Sequence, residues 1–395
     1  MNPPAQVSLI TGGKDKHYAT GLAAALIAAG VRFDFTGSNE VDAPELHGHP
    51  QVEFFNLRGD QSVNAGMVTK VKRILAYYLK LTGYAATAKP KVFHILWNNK
   101  FEFIDRTLLM FYYRLLGKRV ILTAHNINAG ERDASDSSLN RLTLKIQYRL
   151  CAHIFVHTQK MKDELAAEYG VPPGRISVIP LGFYSSVPCT ALTSAAAKQK
   201  LGLKPEEKAV LFFGNIAPYK GVEYLVTAFA ELARRDRSYR LIIAGRPKGP
   251  PAYWAQLKQQ IADSGMADRV MQSIEYIADE EIEVYFKAGD VLVQPYTHIF
   301  QSGVLILGMS FGIPVIASDV GSLKEDVIEG KTGSIFQPRN ATELELVIEK
   351  YFAGDIYRHL TERREEIRAH VLENNSWSKV ARLTVAVYSS LLNAK

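Results

Sequence analysis

Hydrophobic positions along this 395-residue chain follow two alternating periods. Short runs rich in β-branched and aromatic residues have the pattern of buried strands, and between them apolar residues recur every three or four positions, as on helices. In the first half the strand-like runs are residues 7–11, 31–35, 52–55, 92–96, 120–123, 154–157 and 176–179, with helices such as 17–29 and 103–116 between them. The second half repeats the plan with runs at 209–213, 240–244, 291–294, 314–317 and 334–336. That alternation predicts an α/β chain whose parallel sheets are covered by helices. The most apolar helix is predicted at 304–311, with Ser302 as its N-cap and Gly312 as its stop. A helix so uniformly apolar is buried on all sides. Its unpaired first-turn N–H groups and dipole make the Gln301-Ser302-Gly303 turn a seat for phosphate, although an ordinary capped core helix has the same pattern.

Length then divides the pattern, because a single core usually serves about 100 to 200 residues. Two domains are predicted, 1–185 and 201–375, joined by a linker of small residues at 186–200, and an amphipathic helix closes the chain at 376–395. A hydrophobic content of 47% supplies two cores. The start enters a strand without a basic segment or small-residue cleavage site, so no leader is expected, and the apolar run at 21–31 falls short of the about 20 residues that span a bilayer. Cys151 and Cys189 lack metal-ligand spacing and point to a reducing, cytoplasmic compartment.

Charge sharpens the picture in one segment. Between Gln61 and Phe101 there is no acid, and Lys70, Lys72, Arg73, Lys80, Lys89, Lys91 and Lys100 account for the whole net charge of +7. On a helix predicted at 67–81, Lys70, Arg73, Tyr77 and Lys80 share one stripe, opposite an apolar face of Val71, Ile74, Leu75 and Tyr78. This is either a solvated face over a buried one or a surface for anionic lipid. No nucleic-acid-binding module accompanies the charge, so nucleic acid is not expected as a partner.

The candidate chemistry sits at strand ends. Gly12-Gly13 follows the first strand without G-x-G-x-x-G spacing, which argues against a dinucleotide enzyme. His125 and Asn126 follow the strand at 120–123, whereas His94 lies mid-strand and reads as a buried, hydrogen-bonded ring. In LFFGNIAPYKGVEYLV, Gly214 and Asn215 form a turn after a strand, and Lys220-Gly221 opens a helix, where a lysine meets a pyrophosphate oxygen or simply solvent. No Asp-x-Asp cluster and no His or Cys ligand spacing suggests a metal.

The ordered segments ITGG, LTAHN, HIFVHTQKMKDEL, RISVIPLG, LFFGNIAPYKGVEYLVTAF, AGDVLVQPY and GIPVIASDVGSLKEDVIEGKTGSIFQP resemble glycosyltransferase family 4 over most of the chain. The resemblance implies a GT-B fold, two Rossmann-like domains with parallel sheets facing across a cleft, and a terminal helix returning to the first domain. It implies transfer of a sugar from a nucleoside diphosphate to a glycan or lipid-linked acceptor, with retention of configuration, no metal and no cofactor beyond the donor. Polysaccharide or glycolipid synthesis at the inner face of a bacterial plasma membrane is the implied setting.

Residue by residue, the resemblance implies that Gly12 and Gly13 touch donor or acceptor, that His125 lines the sugar site, and that Lys220 with Gly214 and Gly221 meets the diphosphate. Tyr276 and Ile277 match the base contact, or are core residues, and Glu325 matches a glutamate after the next strand. Two departures stand out. Asn215 and Ala217 stand where an arginine is usual, leaving Arg246 as a substitute or part of a structural glycine loop. Ile299 and Leu307 stand where two glutamates are common, so Gln301, Ser302, Gly303 and the N–H of Val304 are left to bind phosphate or sugar. Those losses also fit a catalytically silent binding partner, and a sugar-nucleotide epimerase of the same shape is a third reading.

Overall fold

The computed structural model describes residues 6–12, 16–62, 66–99, 101–132, 136–182 and 187–393. The chain forms two compact units, one of residues 1–182 with 376–395 and one of residues 183–375.

In the first unit seven parallel strands are β1 (Val7–Ile10), β2 (Phe33–Gly37), β3 (Val52–Asn56), β4 (Val92–Ile95), β5 (Arg119–Thr123), β6 (His153–Val156) and β7 (Ile176–Val178), in spatial order β3-β2-β1-β4-β5-β6-β7. The second unit has β8 (Lys208–Phe213), β9 (Tyr239–Ala244), β10 (Val270–Ser273), β11 (Val291–Gln294), β12 (Val315–Ser318) and β13 (Gly333–Phe336), in order β10-β9-β8-β11-β12-β13. Both sheets reverse direction beside their first strand, so the ligand-binding crevices of doubly wound folds fall at the carboxyl ends of β1 and β4 and of β8 and β11. β1, β4, β11 and β12 are buried on both faces, which is why they read as unbroken apolar runs.

The C-terminal helix Trp377–Asn393 packs in the first unit against the helix Lys16–Ala28. The Trp377 ring fills a slot made by two glycines: a Cβ would lie 2.3 Å from it at Gly21 and 2.5 Å from it at Gly182. Farther along, the Tyr388 hydroxyl bonds His94 Nδ1 at 2.6 Å, and His94 Nε2 pairs with Thr123 Oγ1 at 2.7 Å. Burial pushes the His94 pKa down to about 3, so this ring is a neutral structural element.

Several expectations change in detail. The edge strand β10 escaped the pattern because its Val-Met-Gln-Ser run is only partly buried. The helix expected at 103–116 breaks at Thr107 (φ −122°, ψ −80°) into Glu102–Arg106 and Leu108–Leu115. Residues 187–200, expected as a linker, pack into the second unit: the helix Ser194–Lys200 is capped by Thr193, and Lys198 Nζ bonds the buried Asp290 carboxylate at 2.8 Å. That carboxylate also accepts from Ala209 N, so Asp290 secures the entry of β8. Removing one partner of such a buried pair costs about 3–5 kcal/mol.

The basic helix differs most. It runs Met67–Thr87 and buries Tyr77, Leu81, Tyr84 and Ala85, while Val71 and Leu75 are 50% and 59% exposed. Tyr77 is therefore an inner residue and not part of a surface stripe with Lys80. The cause is polar: Tyr84 donates to Asp34 Oδ2 at 2.7 Å and lies 2.8 Å from Ser8 Oγ, so the tyrosine side of the helix is tied to the sheet.

Candidate active site

In the second unit the site grows from the turn after β8. Gly214 adopts φ +116° and donates to Ala244 O at 2.9 Å. The turn after β9 packs directly on it, since a Cβ on Gly245 would fall 2.0 Å from Gly214 O. After Asn215, Ile216 pairs with Arg246 O and Lys248 N, and a single 3-10 turn, Pro218–Lys220, leads to Gly221 at φ +63°. There a Cβ would lie 2.0 Å from Pro295 O, so only glycine lets this loop close on the end of β11.

The closure turns Lys220 inward, to 6% exposure. Its Nζ sits 3.8 Å from the ring centroid of Tyr296, which is fully buried, and the Tyr296 hydroxyl lies 3.4 Å from Ser302 Oγ. Ser302 caps the helix Gly303–Ser310 by accepting from Leu305 N. The Cβ position of Gly214 is 3.4 Å from Val304 Cγ2. The structure thus brings Lys220 and Ser302 to Tyr296, with Gly214 against Val304, joining an ammonium to the positive end of a helix whose first N–H groups have no intrahelical partner.

Beside this cluster Gln301 Oε1 is buried without a hydrogen bond, and so is Asp326 Oδ2. Burial pushes the Asp326 carboxyl up to about 7, helped by the charge of Glu325 and opposed by the Gln301 amide. Glu325 itself is exposed on the short helix Leu323–Asp326. Sequence reasoning missed Asp326, whose LKED setting matches any solvated helix end. Its burial follows from Gly321 (φ +55°), which brings the segment against Ile299 O, and from Ser322 N donating to Phe300 O. Ile299 and Leu307, at the places of the two glutamates, are buried apolar residues, as is Ala217.

The remaining donor-side candidates form a flat surface pair. The Arg246 guanidinium lies 5.6 Å from the ring centroid of Tyr276, which is 64% exposed, whereas Ile277 is buried.

In the first unit, Gly12 follows β1 with room for no side chain, since a Cβ would meet Asn98 O at 2.6 Å; Gly13 lies outside the described residues. His125, after β5, stacks on Trp97 with centroids 3.5 Å apart and meets Tyr18 edge-on. His157 Nδ1 donates to Ile179 O at 3.1 Å, and His157 Nε2 is 2.9 Å from His125 Nδ1. Burial lowers both pKa values, His157 to about 4, and His157 and His94 depress His125 further. With both rings neutral, the proton on His157 Nδ1 makes its Nε2 an acceptor, so His125 Nδ1 is the donor and His125 Nε2 carries a lone pair. That nitrogen is buried with no well-formed hydrogen bond. The residue as a whole is half-buried. Asn126, next along, is half-buried. Among the described residues no three His, Cys, Asp or Glu side chains come together as a metal-binding group.

The sequence matches the family models described as Glycosyltransferase Family 4 over residues 16–185 and Glycosyl transferases group 1 over residues 194–369. A D-inositol 3-phosphate glycosyltransferase of Nocardia farcinica is 33% identical over 233 residues, 54% of this chain and 49% of that protein. Its counterpart in Corynebacterium efficiens is 28% identical over 224 residues, 54% of this chain and 53% of its own. The chain thus spans about half the length of the curated relatives it matches. In structure, sucrose-phosphate synthase from Thermosynechococcus elongatus superposes with a TM-score of 0.78 over 100% of both chains at 20% identity. Anabaena Alr3699/HepE in complex with UDP gives 0.75 over 97% of this chain and 99% of its own, at 18% identity. The fold is that of the GT-B proteins, two Rossmann-like units of parallel sheet. By its family models, this chain belongs to glycosyltransferase family 4.

Proposed function

We propose that the chain moves a sugar from a nucleoside diphosphate to an acceptor hydroxyl with retention of configuration. The observation that carries this reading is the Lys220–Tyr296–Ser302 cluster, where a buried ammonium and a helix N-terminus converge at a doubly wound crevice. The relatives named for transfer to inositol phosphate, and a solved neighbour holding UDP, support the same class of donor.

In this reading the bond from sugar C1 to the diphosphate breaks as the acceptor oxygen bonds C1 on the same face. The acceptor proton passes to the leaving diphosphate oxygen. Lys220 Nζ and the N–H groups of Gly303 and Val304 stabilise the charge on that group, so no divalent metal is needed. Gln301, held against Asp326, offers its amide to a sugar hydroxyl, His125 Nε2 accepts another, and Tyr276 with Arg246 forms the platform for the base. Glu325 is a further donor contact.

The acceptor is a glycan or lipid-linked molecule of polysaccharide or glycolipid synthesis, met at the cytoplasmic face of a membrane. Among the described residues no helix is long and apolar enough to cross one. The buried Ile299 and Leu307 favour a second reading, a silent member that binds donor without turning it over.

A thermal-shift screen of nucleoside diphosphates, followed by donor turnover with and without EDTA, separates these readings. Stabilisation by a nucleoside diphosphate with turnover that survives EDTA is the expected result. No stabilisation by any nucleotide rules out the transferase, and a strict need for added magnesium rules out the metal-free step. Binding without turnover favours the silent partner.

A further inference from the structure

A pocket of about 400 Å³ opens in the first unit, walled by residues just after β3, the first half of the helix Met67–Thr87 and Asn99 beyond β4. None of the candidate active-site residues lines it. Three cations do: Arg58, Lys70 and Arg73. Arg58 lies over the Tyr77 ring at 5.2 Å and donates to Asn99 Oδ1 at 3.3 Å, and Arg73 pairs with Asp60 at 2.9 Å. Among the described residues Lys70 has no ionic partner. The acids nearby are Asp60, half-exposed at the rim, and Asp105, buried behind Asn99 and Tyr78 and already accepting from both. Tyr77 closes the floor. It is 4% exposed, and its hydroxyl is engaged by Asn99. Three cations around a buried tyrosine suit a phosphate.

Next to the pocket mouth the same helix turns its aliphatic side to solvent. Met67, Val68, Val71, Leu75 and Leu79 are 50% to 76% exposed. The helices Glu102–Arg106 and Leu108–Leu115 lie beside it, joined by Tyr78 donating to Asp105, by the Tyr78–Phe101 ring contact and by Tyr112 donating to Thr82 O. They add Phe103, Leu108, Phe111 and Leu115, all about half exposed or more. Most of the large exposed apolar side chains in the described chain are therefore on these three helices, within the one segment rich in lysine and arginine and, up to Phe101, free of acid. A soluble protein partner would need acids to match the cations and a shaped apolar face to match the ridge. An anionic bilayer supplies both without shape.

We propose that this face docks on an anionic membrane and that the Arg58–Lys70–Tyr77 pocket takes the phosphate head of an amphiphilic acceptor held in that membrane. The proposal rests on the transferase reading for the word acceptor, while the docking and the phosphate site stand on the first unit alone. It replaces a flat stripe of Lys70, Arg73 and Lys80 with a deeper arrangement, in which Lys70 and Arg73 line a pocket and the aliphatic ridge makes the contact with lipid.

Co-sedimentation of the full chain with phosphatidylcholine vesicles, with and without phosphatidylglycerol, reads the docking face. Titration with glycerol phosphate, a soluble head group, reads the pocket. The wild type should sediment only with the anionic vesicles. A Leu75→Ser/Leu79→Ser variant, altered only at exposed positions, should lose at least about 10-fold in vesicle affinity yet bind glycerol phosphate as before. Lys70→Ala and Tyr77→Phe should each weaken glycerol phosphate by about 10-fold, circular dichroism reporting that they fold. Vesicle binding that survives the ridge change overturns the docking face, and glycerol phosphate binding that survives both pocket changes overturns the phosphate site. Stabilisation of the wild type by nucleoside diphosphates, measured alongside, tests the transferase reading separately.

Discussion

The two units build their candidate sites from different materials. In the second, the chemistry is made chiefly by backbone: Gly214, Gly221, Gly245 and Gly321 hold positive φ, and at the last three a Cβ would strike a main-chain oxygen at 2.0 Å or less. What faces a ligand there is one ammonium, one hydroxyl and a helix start, all donors. In the first, the end of the sheet is lined with rings, Trp97 on His125 with Tyr18 edge-on, and the imidazoles are neutral and offer a lone pair. Donors fixed by backbone suit a diphosphate, whose charge is the same whatever sugar it carries. Ring faces and acceptors suit sugar hydroxyls, and side chains are the parts most easily exchanged for a new acceptor.

The largest effect that would break this comparison lies at Lys220. Lys220→Ala should lower kcat/KM by about 10²-fold to 10³-fold, as when one transition-state donor is removed, with the melting temperature of the free protein little changed. Near wild-type kcat/KM in a verified transfer assay would move the diphosphate elsewhere. His125→Ala should cost less, about 10-fold to 10²-fold in kcat/KM, and leave nucleoside diphosphate affinity intact. Equal loss of nucleotide binding would show that the division of labour is wrong.

Gly221→Ala tests the backbone side through stability. It forces an L side chain into φ +63° and toward Pro295 O, so it should destabilise the protein by about 1–3 kcal/mol, read as the midpoint of denaturant unfolding. An unchanged midpoint would mean the loop is free to move.

The pH response sets the buried histidines of the first unit against Asp326 of the second. His94, His153 and His157 are held near 3 to 4, so below about pH 6.5 the unfolded chain takes up protons first and stability falls with pH through that range. Asp326 is raised to about 7, so it favours the fold at low pH and loses that contribution as pH rises from about 4 to 7. Asp326→Asn should therefore come closest to the wild type in stability at pH 5, where the carboxyl is protonated, and gain on it at pH 8. Parallel melting curves for the two proteins across this range would remove the assignment.

Much of this was legible in the residues. All twelve strand-like runs, the Ser302 cap and the Lys220–Gly221 junction are local features, set by alternation, capping chemistry and glycine spacing, and they survive in the structure nearly where the pattern puts them. β10 was hidden because partial burial leaves no periodic trace, and the break at Thr107 because apolar residues continue at helical spacing on both sides of it. The Tyr296 link between Lys220 and Ser302 was hidden as well, since an aromatic after a strand reads as plain core.

By itself the sequence determined which segments are strands and helices, where glycine is obligatory, and that one basic segment carries the net charge. Tertiary structure alone decided which side of the helix Met67–Thr87 faces out: periodicity puts Tyr77 with the cations and Val71 and Leu75 on the inner face, whereas the structure buries Tyr77 and exposes Val71 and Leu75, with the hydroxyl of Tyr84 bonded to Ser8 and Asp34 on the paired strands β1 and β2. It also decided the protonation of Asp326 and His125. A group's charge depends on what covers it, and the covering residues here, from Ile299 and Gln301 in one unit and from Trp97, Tyr18 and His157 in the other, come from separate loops of the chain.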